Sequence, residues 1–337
     1  MRMRAALLAV SMLASLGACS LLGDDALEAA QQAFEAEDYI VARDLALAAL
    51  EDDAENVAAL ELLARAQLAM GQGGEVAAVL ERIERAGGEA EDEALLAAEG
   101  QLQAGNPAAA RELVGDQQTA EAWRLLALAA VQEDDEAAAL EAFNNGRSAE
   151  GDKTKLYAAE ASFHLSRGDL AAAAAAASLA RALAPDRVET LYVSARVAEA
   201  SGNHLQALSN YLRIIEKVPM DRPALLAAIT ASERAGQGAI TRHLIAYGAQ
   251  TRPLDPEFVY QQARVEAWDG RWAAVRERLQ AHEPELVDHP AARVLYAEAL
   301  LQLGQVETAR AIVAPIVARY PGDGEAQRVK AAIEAAS

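Results

Sequence analysis

Gly168, Gly202, Gly236, Gly270 and Gly304 each stand 34 residues from the next. Pro185, Pro219 and Pro253 keep the same interval, Pro321 lies two intervals beyond Pro253, and Gly71 and Gly105 repeat it upstream. A fixed interval of this length makes the chain an array of one small unit, which overrides the two domains that 337 residues would otherwise suggest. Each Gly is placed to end a first helix and allow a tight turn, and each Pro follows a second helix that it cannot continue. Every unit is therefore expected to be a helical hairpin. The composition agrees: 53% of residues are hydrophobic but only 4% aromatic, so burial must come mostly from Ala, Leu, Val and Ile on closely packed helices.

Motif residues recur in the same phase. Trp123-x2-Leu126-Ala127 is followed by Ala139-x3-Phe143, and Ala207-x3-Tyr211 by Pro219. Period and motif together resemble the tetratricopeptide repeat family from about residue 23 to residue 323. The resemblance implies an all-α, right-handed superhelical solenoid of helical hairpins. Its eighth position, where one helix must approach its neighbour closely, is filled by Ala30, Ala64, Ala98, Ala127, Ala161, Ala195, Ala263 and Ala297; only Ile229 departs. Nine tetratricopeptide-like repeats then begin near residues 23, 57, 91, 120, 154, 188, 222, 256 and 290. The third is short, and its second helix is expected to end at Gly115 with a local kink. Residues 324–337 read as an amphipathic capping helix, which a solenoid needs at its end. The run from Ala171 to Ala177 favours helix but buries little area, so the core should be thinnest there.

Residues 1–18 read as a signal peptide. Arg2 and Arg4 precede the apolar run from Ala5 to Ala18. That run reaches only about 21 Å as a helix, short of a bilayer core of about 30 Å. The single cysteine closes it in Leu16-Gly17-Ala18-Cys19, which resembles the lipobox of bacterial lipoproteins. The resemblance implies cleavage before Cys19, lipidation of that residue, and a tether over residues 19–25. Ser20 after the cysteine, with no Asp there, favours the periplasmic face of the outer membrane in that family. One cysteine also excludes a disulfide framework and a cysteine-based zinc site.

No constellation for chemistry emerges. The five histidines, His164, His204, His243, His282 and His289, form no H-E-x-x-H or H-x3-H pair. His282 and His289 could meet across a turn, although a capping or solvated role is the plainer reading. No G-x-S-x-G elbow and no phosphate-binding glycine loop occurs. The acidic clusters Glu51-Asp52-Asp53, Glu89 to Glu93 and Glu133-Asp134-Asp135-Glu136 lack the alternating spacing of a calcium loop and suit helix ends. The expectation is no enzyme, no cofactor and no metal. A net charge of −21 disfavours nucleic acid as a partner.

Solenoids of the resembled family bind partners along the face made by the first helix of each unit. The family's groove positions, carried over, include Arg65, Arg124, Lys155, Tyr192, Arg196, Tyr260 and Arg264. Tyr192 and Arg196 share one helical face, and Tyr260 and Arg264 repeat the pair two units later. Such a pair could stack on an extended peptide and hold a carboxylate. The alternative is that each Tyr packs on the next unit and each Arg is a solvated charge. Charge is divided unevenly: residues 19–153 carry 8 basic and 30 acidic side chains, residues 154–337 carry 20 and 21. The acidic repeats offer a second place for an interface, with a basic partner.

The sequence thus predicts a lipid-anchored scaffold or adaptor of the bacterial envelope that binds protein or peptide partners. A component of an exopolysaccharide export, pilus or secretion, or outer-membrane assembly machine is the finer alternative. An envelope hydrolase fits less well, because no nucleophile, base or metal set converges.

Overall fold

The computed structural model describes residues 23–336. The signal segment and Cys19 lie outside the described residues. Nineteen α-helices and no strand occur among the described residues, and they divide into two compact units. The first runs to Val197. Its hairpins are α1 (Gly23–Glu35) with α2 (Tyr39–Asp52), α3 (Val57–Ala69) with α4 (Gly73–Arg85), and α5 (Glu93–Gln103) with α6 (Pro107–Val114). They continue as α7 (Ala120–Gln132) with α8 (Glu136–Ser148), and α9 (Thr154–Ser166) with α10 (Leu170–Leu183). The division falls in the last turn of α11 (Val188–Ala200). The second unit holds α12 (His204–Lys217), α13 (Arg222–Arg234), α14 (Gly238–Thr251), α15 (Pro256–Trp268) and α16 (Trp272–Ala281). It ends with α17 (Pro290–Gln302), α18 (Val306–Arg319) and α19 (Gly324–Ala335).

One turn shows how the repeated residues make a hairpin. Gly168 takes φ 76°, the left-handed region that costs a residue with a Cβ about 1–2 kcal/mol. The Asp169 N–H then donates to the His164 carbonyl at 2.9 Å, closing α9, while the Asp169 carboxylate accepts from the Ala172 N–H at 3.0 Å and opens α10. In the first and fourth hairpins the same position is Glu37 (φ 65°) and Asp134 (φ 58°). Some helix-end carbonyls that already accept a turn N–H take a second bond from the next hairpin. Gln103 donates to the Leu68 carbonyl at 2.9 Å, and Gln132 to the Leu102 carbonyl at 2.8 Å.

First helices begin at residues 23, 57, 93, 120, 154, 188, 222, 256 and 290. The shift from 91 to 93 has a local cause: Asp92 takes φ 56°, which the helix cannot include. Residues 23–25, assigned to the tether, belong to α1, whose first turn includes Asp25, an acid favoured near a helix N-terminus. α6 ends at Val114 before Gly115, at φ 56°. The eight eighth-position alanines are all 0% exposed, and Ile229 is 1%. Around α9, α10 and α11 one buried cluster is Ala158, Ala161, Ala176, Ala177 and Val193, and Leu156, Phe163 and Leu191 of the same helices are buried as well. α19 packs Ala326, Val329 and Ile333 onto α17 and α18 as a cap.

The first unit has one contact that a chain of nearest neighbours lacks. Val188 N–H, at the start of α11, lies 3.3 Å from both carboxylate oxygens of Glu37, and Arg187 Nε is 3.6 Å from the same group. The first hairpin's turn thereby caps a helix 151 residues further on. Burial, with the charges of Glu189 and Glu37 adding to it, pushes the Tyr39 hydroxyl far above its ordinary value.

Candidate functional site

In the second unit α15 carries Tyr260, Arg264 and Trp268 one helical turn apart, so all three share a face. The Arg264 guanidinium carbon lies 5.8 Å from the Tyr260 ring centroid and 5.1 Å from that of Trp268. Its edge is fixed too: Nη1 donates to Gln261 Oε1 at 2.5 Å, and Nη2 is 3.1 Å from Glu233 on α13. The result is a cation clasped between two rings, within the range where cation–π attraction acts. Trp268 remains 48% exposed. Arg242 of α14 lies 5.8 Å from the same indole and pairs with Asp269 at 2.9 Å.

Tyr260 is held from its other side. Its ring centroid is 4.9 Å from that of His289, the residue that caps α17. The cap fixes the imidazole tautomer, because Nδ1 accepts from the Ala292 N–H at 3.1 Å and Nε2 then donates to Glu257 at 3.0 Å. That bond from His289 holds the Glu257 carboxyl below the usual carboxylate range, against burial, with Gln261 helping. Burial pushes the Tyr260 hydroxyl above its ordinary value. His282 and His289 do not meet as a pair: His282 lies 3.9 Å from Glu285, and His289 faces Glu257.

The other residues singled out in the sequence fare differently. Arg124 is only 6% exposed, sealed between Glu99 at 3.0 Å and Glu121 at 2.6 Å. Burial pushes the Glu121 carboxyl up, and the Arg124 charge and hydrogen bond outweigh it, leaving the group below its ordinary value. Arg124 is therefore a structural clamp between α5 and α7, its Nε and Nη2 engaged by the two carboxylates. Arg65 is likewise paired, with Glu61 at 2.7 Å. Tyr192 is half-buried on α11, while Arg196 is exposed. Arg196 makes no ion pair and no ring contact among the described residues. Trp268 and Glu233 carried no flag in the sequence, although Trp268 stands four residues after Arg264, and His289 takes the capping role that the sequence offered as its plainer reading.

Among the described residues no group of three or more His, Cys, Asp or Glu converges as metal ligands, and no helix is long and apolar enough to cross a membrane. The arrangement suits recognition: an exposed indole on a preset cation, beside acceptors and donors already fixed.

Residues 269–333 match the family model described as Tetratricopeptide repeat. No curated protein matches the sequence. Among solved structures, a chain in the crystal structure of the APC/C hetero-tetramer Cut9-Hcn1 is similar with a TM-score of 0.53 and 13% identity. The likeness covers 92% of this chain and 55% of that one, so this chain spans about half its length. Yeast Tom70 is similar at a TM-score of 0.46 and 12% identity, covering 93% of this chain and 81% of that one. A tetratricopeptide repeat protein from Parabacteroides merdae gives 0.39 and 14%, covering 93% and 98%. The first of these likenesses shows the fold, an all-α solenoid of helical hairpins.

Proposed function

We propose that this tetratricopeptide-type solenoid is a non-enzymatic scaffold of the bacterial envelope, anchored at the periplasmic face of the outer membrane through lipidated Cys19. It takes an extended segment of a protein partner on the face of α15. The observation that carries the reading is Trp268, half exposed yet held in place by Arg264 and Arg242. An apolar surface left half exposed on a rigid support is what an interface anchor requires. The support for the anchor is the run from Ala5 to Cys19. A chain of net charge −21 would be repelled by an anionic lipid surface, so in this reading the acyl group has to hold it there.

A photoreactive amino acid in place of Trp268 tests the interface in intact envelopes. The expected result is one dominant crosslinked partner, lost when Arg264 is also changed to Glu, with no such product from the same amino acid at Arg310 on α18. The partner's identity assigns the protein to export, secretion or outer-membrane assembly. Equal products from both positions would contradict the interface. For the anchor, Cys19→Ser is expected to leave the protein soluble or unprocessed, whereas a wild-type level in the membrane pellet contradicts lipidation.

A further inference from the structure

The connection between α16 and α17 is unlike its counterparts. α16 stops at Ala281, and the eight residues 282–289 run as successive turns before α17 begins at Pro290. Pro284 lacks the N–H a continuing helix would need. The connection folds back so that Leu286 is 3% exposed while its neighbour Val287 is 58% exposed. Between them opens a cleft of about 240 Å³, walled by Leu279 of α16, Leu286, and Ile312 of α18. A cavity of roughly 150 Å³ already holds benzene, so this one has room for a whole aromatic or branched side chain.

The polar groups at the cleft are few and unevenly used. Arg293 and Tyr296 of α17 line it, with Glu283 exposed at the rim. Arg293 is half-buried and makes no ion pair or side-chain hydrogen bond among the described residues. Arg276 of α16 is near enough that its charge acts on the Tyr296 hydroxyl, and its Nε is buried without a hydrogen-bond partner. In a chain with 51 acidic against 30 basic residues, arginines usually find a carboxylate; here Arg293, on the wall of an apolar cleft, has none among the described residues. Arg293, with no carboxylate of its own on the cleft wall, makes the site complementary to an incoming anion. Glu283 supplies the opposite need, an acceptor for an N–H at the mouth.

We propose that this cleft binds the C-terminal residue of a polypeptide ending in a large apolar side chain, with the side chain between Leu279, Leu286 and Ile312 and the terminal carboxylate on Arg293. Glu283 then accepts from the backbone N–H of the same residue. The site is separate from the α15 face and stands whether or not that face binds a partner.

Titration calorimetry with N-acetyl-phenylalanine, N-acetyl-phenylalaninamide and octanoate decides it. The acid is expected to bind at one site, at least about tenfold tighter than the amide, and tighter than octanoate, which lacks the amide N–H. Arg293→Gln should weaken it about tenfold. Val287→Trp, at an exposed lip, should fill the cleft and abolish binding with helicity and melting temperature unchanged, which separates loss of the site from loss of the fold. Absence of binding overturns the proposal. So does binding indifferent to Arg293→Gln and Val287→Trp, and octanoate binding more tightly overturns the peptide occupant.

Discussion

Tyr192 with Arg196 and Tyr260 with Arg264 are the same pair in the same phase, yet one arginine is open and the other is clasped. The difference lies in three neighbours 68 residues apart. Where Arg264 has Glu233, Gln261 and Trp268, Arg196 has Leu165, Val193 and Ala200 at the corresponding positions. An apolar side chain cannot accept from a guanidinium, and alanine offers no ring to cover one, so the pair in α11 stays a solvated cation beside a tyrosine. Repeats therefore fix where a side chain stands, and the neighbouring repeats decide what it can do.

Arg124 marks the extreme of being clasped, and the largest effect is expected there. Arg124→Ala leaves Glu99 and Glu121 facing each other without the cation that pairs them, Lys155 acting on Glu121 only as a lesser charge, and should destabilise the first unit by about 3 kcal/mol. Arg196→Ala, by contrast, should leave thermal unfolding unchanged within about 0.5 kcal/mol. Equal effects in the two would erase the distinction between clasped and open positions.

A smaller loss tests whether the two compared pairs really share a register. Ala195 and Ala263 directly precede Arg196 and Arg264 and are both fully buried. Tryptophan at either should overpack a close helix contact at about 1–3 kcal/mol, read as a lowered melting temperature. Unchanged stability at both would break the 34-residue phase on which the comparison rests.

The hairpin period, the close-packing alanines and the C-terminal cap were legible because each follows from local backbone and volume requirements: a left-handed turn needs Gly168, and a close crossing needs Ala263. Two other features were not. The Glu37 contact with Val188 joins residues 151 apart, and no periodicity carries information about a contact of that span. The burial of Arg124 depends on Glu99, an acid whose place on the facing helix becomes meaningful only once α5 and α7 are docked. At α15 the Tyr260 and Arg264 spacing showed one face, but the part played by Trp268 depends on Arg242 from another helix.

The smallest expected effect is one of pH, and it belongs to the α15 side. Glu257 has a folded-state carboxyl value below its unfolded one, first because His289 donates to it. Its contribution is therefore fully present above the unfolded carboxylate value of about 4.3 and fades as pH falls through the lower folded value. Melting temperatures of the wild type and Glu257→Gln should differ at pH 7 and converge in acid. A gap that widens on acidification has the wrong sign for this bond. The histidine bond has no counterpart in α11, where Glu189 stands at the position of Glu257 but Asp221 at that of His289.

The central claim is that the clasped pair, through the Trp268 it holds, is the docking surface. Affinity for the crosslinked partner, measured with Trp268→Ala, Arg264→Glu and the α18 control Arg310→Glu at matched helicity, tests it most directly. The account predicts about tenfold or greater weakening for both α15 substitutions and none for the control. Full affinity in Trp268→Ala, or equal loss from Arg310→Glu, would contradict it and move the interface to the acidic hairpins of the first unit.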